Sequence, residues 1–209
     1  MTKQKLSLLV IEDTPRHIEE AEKVWKKIKK KGIPLKVEMV KDKEGLVSNL
    51  EGRKYDGIIS DIFYPNSYGG PEEENGTSSI LLSRKYDTPI VLCTSTWHHG
   101  KKTQPVHDYC FVQGIPMVDM YRKPGDSTFK SKLWEDGYNS LLCQMALKKM
   151  GGGLQIAKDL LDKKEEWEDI QKAVRKEVSP FAIKSLNGLK WALEDSLDRI
   201  YFKEKRRRK

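Results

Sequence analysis

The feature that most constrains this chain is a repeated pairing of a short apolar run with a segment of helical spacing, each run ending on a polar residue. Leu6 to Ile11 is an apolar run broken only by Ser7, and it stops at Glu12-Asp13. Thr14-Pro15 then reads as an N-cap followed by proline at the first helical position, with Ile18, Ala21, Val24, Trp25 and Ile28 spaced for one helix face. Gly32-Ile33-Pro34 breaks that helix, and Leu35, Val37 and Met39 alternate with polar residues as in a strand nearer a sheet edge. A short helix through Leu46, Val47 and Leu50 closes at Gly52. Gly57-Ile58-Ile59-Ser60 runs into Asp61, Pro89 to Cys93 into Thr94-Ser95, and Pro116-Met117-Val118 towards Lys123-Pro124. Between them lie a loop rich in Pro, Gly, Asn and Glu from Tyr64 to Gly76, a helix around Ile80 to Leu82, and a less regular stretch after Ser95. A helical pattern resumes from Thr128 to Met150.

Strands separated by helices imply crossover connections and a parallel sheet covered on both faces. The expected fold is therefore α/β, a five-stranded parallel doubly wound sheet of flavodoxin-like strand order 2-1-3-4-5. Ligands of such sheets bind outside the carboxyl ends of the strands. Glu12 and Asp13 after the first strand, Asp61 after the third, Thr94 after the fourth and Lys123 after the fifth should meet at one edge. Two adjacent carboxylates and a third across the sheet suit Mg²⁺, which takes few protein ligands and keeps several waters. A carboxylate so placed can attack a phosphoryl donor to give an aspartyl phosphate, with Lys123 as a cation and the Thr94 hydroxyl as a hydrogen-bond donor for the transferred group.

The order of these motifs resembles the CheY-like receiver domains of bacterial response regulators in two-component signalling. The segments that carry the resemblance are Leu9-Val10-Ile11-Glu12-Asp13, Tyr55 to Pro65 around Asp61, Pro89 to Ser95, and Lys123-Pro124, so that it spans about residues 5–150. The resemblance implies that Glu12, Asp13, Asp61 and the Phe63 backbone carbonyl hold Mg²⁺. It also implies that Asp61 is phosphorylated from the phosphohistidine of a histidine kinase or phosphotransfer protein, that Thr94 and Lys123 sense the phosphoryl group, and that only self-phosphoryl transfer and autodephosphorylation are catalysed. The chain departs from the family pattern in three places. The usual aromatic switch position, three residues before the lysine, holds Met120, with Tyr121 beside it; the acidic loop 64–76 is enlarged; and Trp97-His98-His99-Gly100 stands where a short fourth helix is usual.

Beyond Gly151-Gly152-Gly153, two apolar-striped segments, Leu154 to Glu177 and Pro180 to about Lys203, are expected to form a C-terminal helical hairpin that packs on the receiver body or in a homodimer. The expected division is residues 1–150 for the receiver-like domain, 151–203 for the helical extension and 204–209 for a basic tail. The formal net charge of +8 is concentrated late: residues 1–128 hold 20 Lys+Arg against 18 Asp+Glu, while Lys203 to Lys209 alone contribute +5. That tail would attract nucleic-acid phosphates or acidic head groups but carries no interleaved aromatic residues.

Three cysteines without CxxC spacing, and a start without an apolar leader, point to a reduced, cytoplasmic setting with no membrane span. His98, His99, His107 and Cys110 match no zinc-ligand spacing and are read as loop and packing residues. A phosphatase of the haloacid-dehalogenase type would need a second aspartate two positions after Asp61, where this chain has Phe63. Two further readings stay open at this level. One is a receiver-like interaction module with no phosphoryl cycle; the other is a DNA-binding regulator acting through the basic C-terminal region.

Overall fold

The computed structural model describes residues 5–96, 100–119 and 132–149. The elements are β1 (Leu6–Ile11), α1 (Pro15–Lys30), β2 (Leu35–Val40), α2 (Lys43–Gly52), β3 (Gly57–Ser60), β4 (Phe63–Pro65), β5 (Glu72–Glu74), α3 (Gly76–Lys85), β6 (Ile90–Cys93), α4 (Gln104–Gln113), β7 (Met117–Val118) and α5 (Trp134–Lys149). Five strands form one parallel sheet in the order β2-β1-β3-β6-β7. With β6 and β7 as the fourth and fifth strands of that sheet, this is the flavodoxin-like order 2-1-3-4-5 expected from the sequence.

The period of two along each strand divides the core into two layers. Leu8 and Val10 of β1 and Ile59 of β3 face α1 and α5, which supply Ala21, Trp25, Ile28, Trp134, Tyr138 and Leu141. Leu9, Ile11 and Ile58 face the opposite side, with Leu46 and Leu50 of α2, Ile80 of α3, and Val106 and Cys110 of α4. Trp25 locks the first layer: its ring meets those of Trp134 and Tyr138 edge to face, each at 6.2 Å between centroids. Because both faces are covered, the central strands are apolar on both sides, which is why they read as near-continuous runs.

Two elements differ from the sequence reading. The stretch after Ser95 contains a regular helix, α4, which starts behind Thr103 and stops at Gly114, where φ is +66° and a side chain would be strained. Proline at position 105 and few apolar residues in a row hid it. The loop 64–76 contains an antiparallel ribbon, β4 with β5, in which Phe63, Tyr64 and Pro65 face Glu74, Glu73 and Glu72. Three successive glutamates carry no strand signature, and β5 exists because it pairs with β4. The helical extension 151–203, the basic tail 204–209 and the boundary between them and the first domain lie outside the described residues. No helix among the described residues is long and apolar enough to cross a membrane.

Sheet and helix approach each other tightly at Gly57. A Cβ there would lie 2.6 Å from Leu141 Cδ2 and 2.9 Å from Cγ, inside a fully buried leucine. Gly57→Ala should therefore displace α5 and lower the unfolding free energy by about 1–3 kcal/mol, measurable as a fall in the urea midpoint at unchanged slope.

Candidate functional site

The parallel register brings the strand ends flush. Ile11 lies beside both Val40 and Ser60, and Cys93 beside Val118. Backbone hydrogen bonds carry the alignment one residue further: Glu12 N donates to Val40 O at 3.0 Å, Asp61 N to Ile11 O at 3.0 Å, and Thr94 N to Val118 O at 2.9 Å. The residues that follow the strands are thus fixed by the ladder itself.

Glu12, Asp13 and Asp61 come together, each offering a carboxylate oxygen within 4.8 Å of the others. Glu12 is fully buried, Asp61 nearly so, and Asp13 half-buried. A lysine sits among them, and it is Lys132. Its side chain has no exposed surface, its Nζ lies 2.6 Å from Asp61 Oδ2, and it also bonds to Glu12 Oε2. Lys132 stands two residues before α5, with its Nζ 5.6 Å from the centre of the Trp134 ring. Lys123, the lysine expected here from the sequence, lies outside the described residues. The Lys123-Pro124 pair after the fifth strand drew attention away from Lys132, which no local motif marks. One signal was available: a lysine just ahead of a helix whose first turn holds Glu135 and Asp136 needs a carboxylate partner, because cations are disfavoured at helix N-termini.

The other oxygens are also held. Asp61 Oδ1 accepts from Ile62 N at 2.7 Å. Glu12 Oε1 accepts from Thr14 N at 3.0 Å and faces His17 Nδ1 at 3.6 Å. His17 is a site neighbour that the sequence reading did not single out; it lies on the first turn of α1, two residues beyond Pro15. Asp13 Oδ1 is buried and has no hydrogen-bond partner. That oxygen, close to the other two acids, suits the hard, oxygen-seeking character of a divalent cation such as Mg²⁺. Phe63 opens β4 two residues beyond Asp61, half-buried. Thr94 is buried at the end of β6, but its hydroxyl pairs with Thr96 Oγ1 at 2.8 Å, and that in turn with Thr103 Oγ1 at 3.2 Å, at the start of α4. Among the other residues considered for metal, Cys110 is core and His107 lies on α4, while His98 and His99 are outside the described residues.

Burial and electrostatics set these groups apart. Burial, reinforced by the Glu12 charge, pushes the Asp61 carboxyl up to about 6 against the pull of Lys132. Burial also works to raise Glu12, yet His17 and Lys132 together bring it below the ordinary carboxylate range. Asp13 is raised by burial, with the charges of Glu12 and Glu72 adding to it. Burial would lower Lys132, but Asp61 and Glu12 outweigh it and hold the ammonium form. The facing Glu12 carboxylate likewise raises His17.

Lys132 is therefore the counter-charge that lets three carboxylates share one edge. Removing one partner of a buried ion pair costs about 3–5 kcal/mol, so Lys132→Met should lower the unfolding free energy by about that much at pH 7.5. The sign with pH follows from Asp61. Its native pKa lies above its ordinary 3.8, so the native state keeps a proton that the unfolded chain has released, and ionising Asp61 costs stability as pH rises from there to about 6. At pH 5, inside that window, Asp61 is largely neutral in the native state, and the penalty of Lys132→Met should shrink. Urea unfolding of both proteins at pH 7.5 and pH 5 measures it.

No protein-family model matches the chain, and no curated protein matches it. Solved structures do. A complex of the two-component response regulator RcsB with DNA aligns at 16% identity and a TM-score of 0.42, covering 92% of this chain and 99% of that one. RcsB from Salmonella enterica serovar Typhimurium bound to the promoter P1flhDC with the phosphomimetic BeF3⁻ aligns at 15% identity and a TM-score of 0.46, covering 93% and 98%. A structure of two RcsB dimers on two parallel DNAs aligns at 13% identity and a TM-score of 0.42, covering 97% and 98%. The sheet order and the helices on its two faces make the described part of this chain a flavodoxin-like α/β fold.

Proposed function

We propose that the chain is a response-regulator-like signalling protein whose Asp61 accepts a phosphoryl group from a partner's phosphohistidine. The observation that carries the reading is the convergence of Glu12, Asp13, Asp61 and Lys132 at the carboxyl edge of the sheet. An acceptor aspartate must be ionised, fixed in direction and close to positive charge. Asp61 is ionised above about pH 6, its Oδ1 is fixed by Ile62 N, and its Oδ2 has Lys132 beside it. In the transfer, an Asp61 carboxylate oxygen forms the new bond to phosphorus. The bond from phosphorus to the donor nitrogen breaks, and the imidazole of the donor keeps that electron pair. Lys132 holds a positive charge where the transferring oxygens gather theirs.

Asp13, with Asp61 and Glu12, would hold a Mg²⁺ ion, which when bound supplies further charge neutralisation for the phosphoryl oxygens. Hydrolysis of the acyl phosphate on Asp61 returns the protein to its starting state. The chain therefore acts on its own modification and turns over no separate substrate.

Incubation of the full chain with acetyl phosphate and Mg²⁺, followed by intact-mass measurement, tests the reading. One added phosphoryl mass is expected for the natural protein and none for Asp61→Asn. A chain that gains no phosphoryl mass would instead be an interaction module that keeps the receiver fold without phosphoryl chemistry, and one that gains it equally after Asp61→Asn is modified at another residue; either outcome overturns Asp61 as the acceptor.

A further inference from the structure

The β4–β5 ribbon is wired to Asp61 through buried hydroxyls, and we infer that it is the element whose conformation reports the state of Asp61. This deepens the phosphoryl-acceptor reading and rests on it. Two hydrogen-bonded routes run from the acceptor to the base of the ribbon. The first passes through Ile62, whose N–H donates to Asp61 Oδ1 at 2.7 Å and whose carbonyl accepts from Asn75 N at 2.9 Å and Gly76 N at 3.0 Å. The second is a chain of side-chain hydroxyls. Ser60 Oγ lies 2.7 Å from the Asp61 carbonyl oxygen and 2.9 Å from Ser79 Oγ; Ser79 Oγ lies 2.5 Å from the Tyr64 hydroxyl, which reaches Asn75 O at 3.0 Å. Asn75 Nδ2 closes the far end on Tyr64 O at 2.8 Å. Ser60, Tyr64, Asn75 and Ser79 are all buried, with 2% exposure or less.

The proton count makes the second route two-valued. Four oxygen–oxygen contacts link Asp61 O, Ser60, Ser79, Tyr64 and Asn75 O, and the three hydroxyls between the carbonyls bring one proton each. If every O–H points towards Asp61, the contact at Asn75 O has no proton. If every O–H points towards Asn75, the contact at Asp61 O has none. The chain can also divide at one of its inner contacts, so that both carbonyls are served and a pair of hydroxyls is left without a proton between them. No arrangement satisfies all four contacts: a missing proton at Asp61 O removes the Ser60 donor there, whereas Asn75 O keeps the Ser79 N–H at 2.9 Å when Tyr64 turns away, so the second loss is the cheaper one. The chain is therefore a switchable element with ends at the acceptor and at the ribbon, which is the physical requirement for coupling two places.

Phosphorylation sets the direction. Additional negative charge at Asp61 favours the arrangement in which each O–H dipole points to it, so Tyr64 turns from Asn75 O and the base of the ribbon loses one of its ties, while the bonds to Ile62 O and from Asn75 Nδ2 to Tyr64 O remain. The ribbon carries Glu72, Glu73 and Glu74, all exposed, and Tyr68, which is 79% exposed, between its strands. A loosened base would therefore alter a large, charged surface next to the acceptor.

Amide hydrogen exchange across residues 63–75 of the full chain tests this, with and without Mg²⁺ and beryllofluoride, while fluorine NMR reports separately whether the Asp61 adduct has formed. Exchange at the ribbon base should quicken about fivefold with the adduct, as expected for loss of one hydrogen bond between neutral groups. Tyr64→Phe should still form the adduct but show less than about half of that response on a logarithmic scale. Ser60→Ala, which cuts the chain at its other end, should do the same and serves if Tyr64→Phe folds poorly. Adduct formation with unchanged ribbon exchange overturns the inference, as does a full response in both variants. Absence of any adduct overturns the acceptor reading itself, and the inference with it.

Discussion

Carboxylates at the rim of a parallel sheet repel one another, and burial removes the water that would screen them. The edge of this sheet tolerates Glu12, Asp13 and Asp61 because Lys132 lies between two of them with no exposed surface of its own. The arrangement is demanding in sequence terms. Glu12 and Asp61 are delivered by strands whose register is fixed by backbone hydrogen bonds, whereas Lys132 arrives from the start of α5 on the far side of the chain's course. The Trp25, Trp134 and Tyr138 cluster, which pins the first turns of α5 to α1, thus also positions the cation. Packing and electrostatics meet at the start of that helix.

This explains which parts of the molecule could be read from residues alone. β1, β3 and β6 are buried on both faces, so they are apolar apart from Ser7 and Ser60, and their ends are marked by the acidic or hydroxyl residues Glu12, Asp61 and Thr94. Glu12, Asp13 and Asp61 follow directly and were legible for that reason. α4 and the β4–β5 ribbon were not, because neither owes its form to a local pattern: α4 buries little more than Val106 and Cys110, and Glu72 to Glu74 form a strand only through their partner. Lys132 was the least legible. A lysine's role depends on what surrounds it in space, and Lys130-Ser131-Lys132 looks like any solvated run. Thr94 was legible in position but not in orientation, since its hydroxyl turns towards Thr96.

The buried polar groups beside Asp61 follow a different logic from the ion pair. An apolar residue at position 60, 64 or 79 would fill the same space without the risk of an unsatisfied hydroxyl. Ser60, Tyr64 and Ser79 instead form one connected chain with the Asn75 carbonyl, under a ribbon that is otherwise held by a short ladder and the turn into α3. A chain of this kind adds directional information that a hydrocarbon contact lacks. Its contribution to stability is modest, yet it ties the ribbon's position to the arrangement at Asp61.

Taken together, the ion pair and the hydroxyl chain divide Asp61 between them. Lys132 and Ile62 N engage the two carboxylate oxygens of Asp61 beside the Glu12 charge, whereas Ser60 engages its main-chain carbonyl, and the Ile62 carbonyl passes the contact on to Asn75 and Gly76. A change of charge at Oδ2 alters the balance of attraction on Lys132 and Ile62 at once, since Asp61 cannot shift towards one without straining the other. Whatever stabilises the modified form of Asp61 must, by reciprocity, be stabilised by it. If Asp61 is phosphorylated as proposed, a partner that grips the loosened ribbon would therefore favour the phosphorylated form, although it never touches the carboxylate.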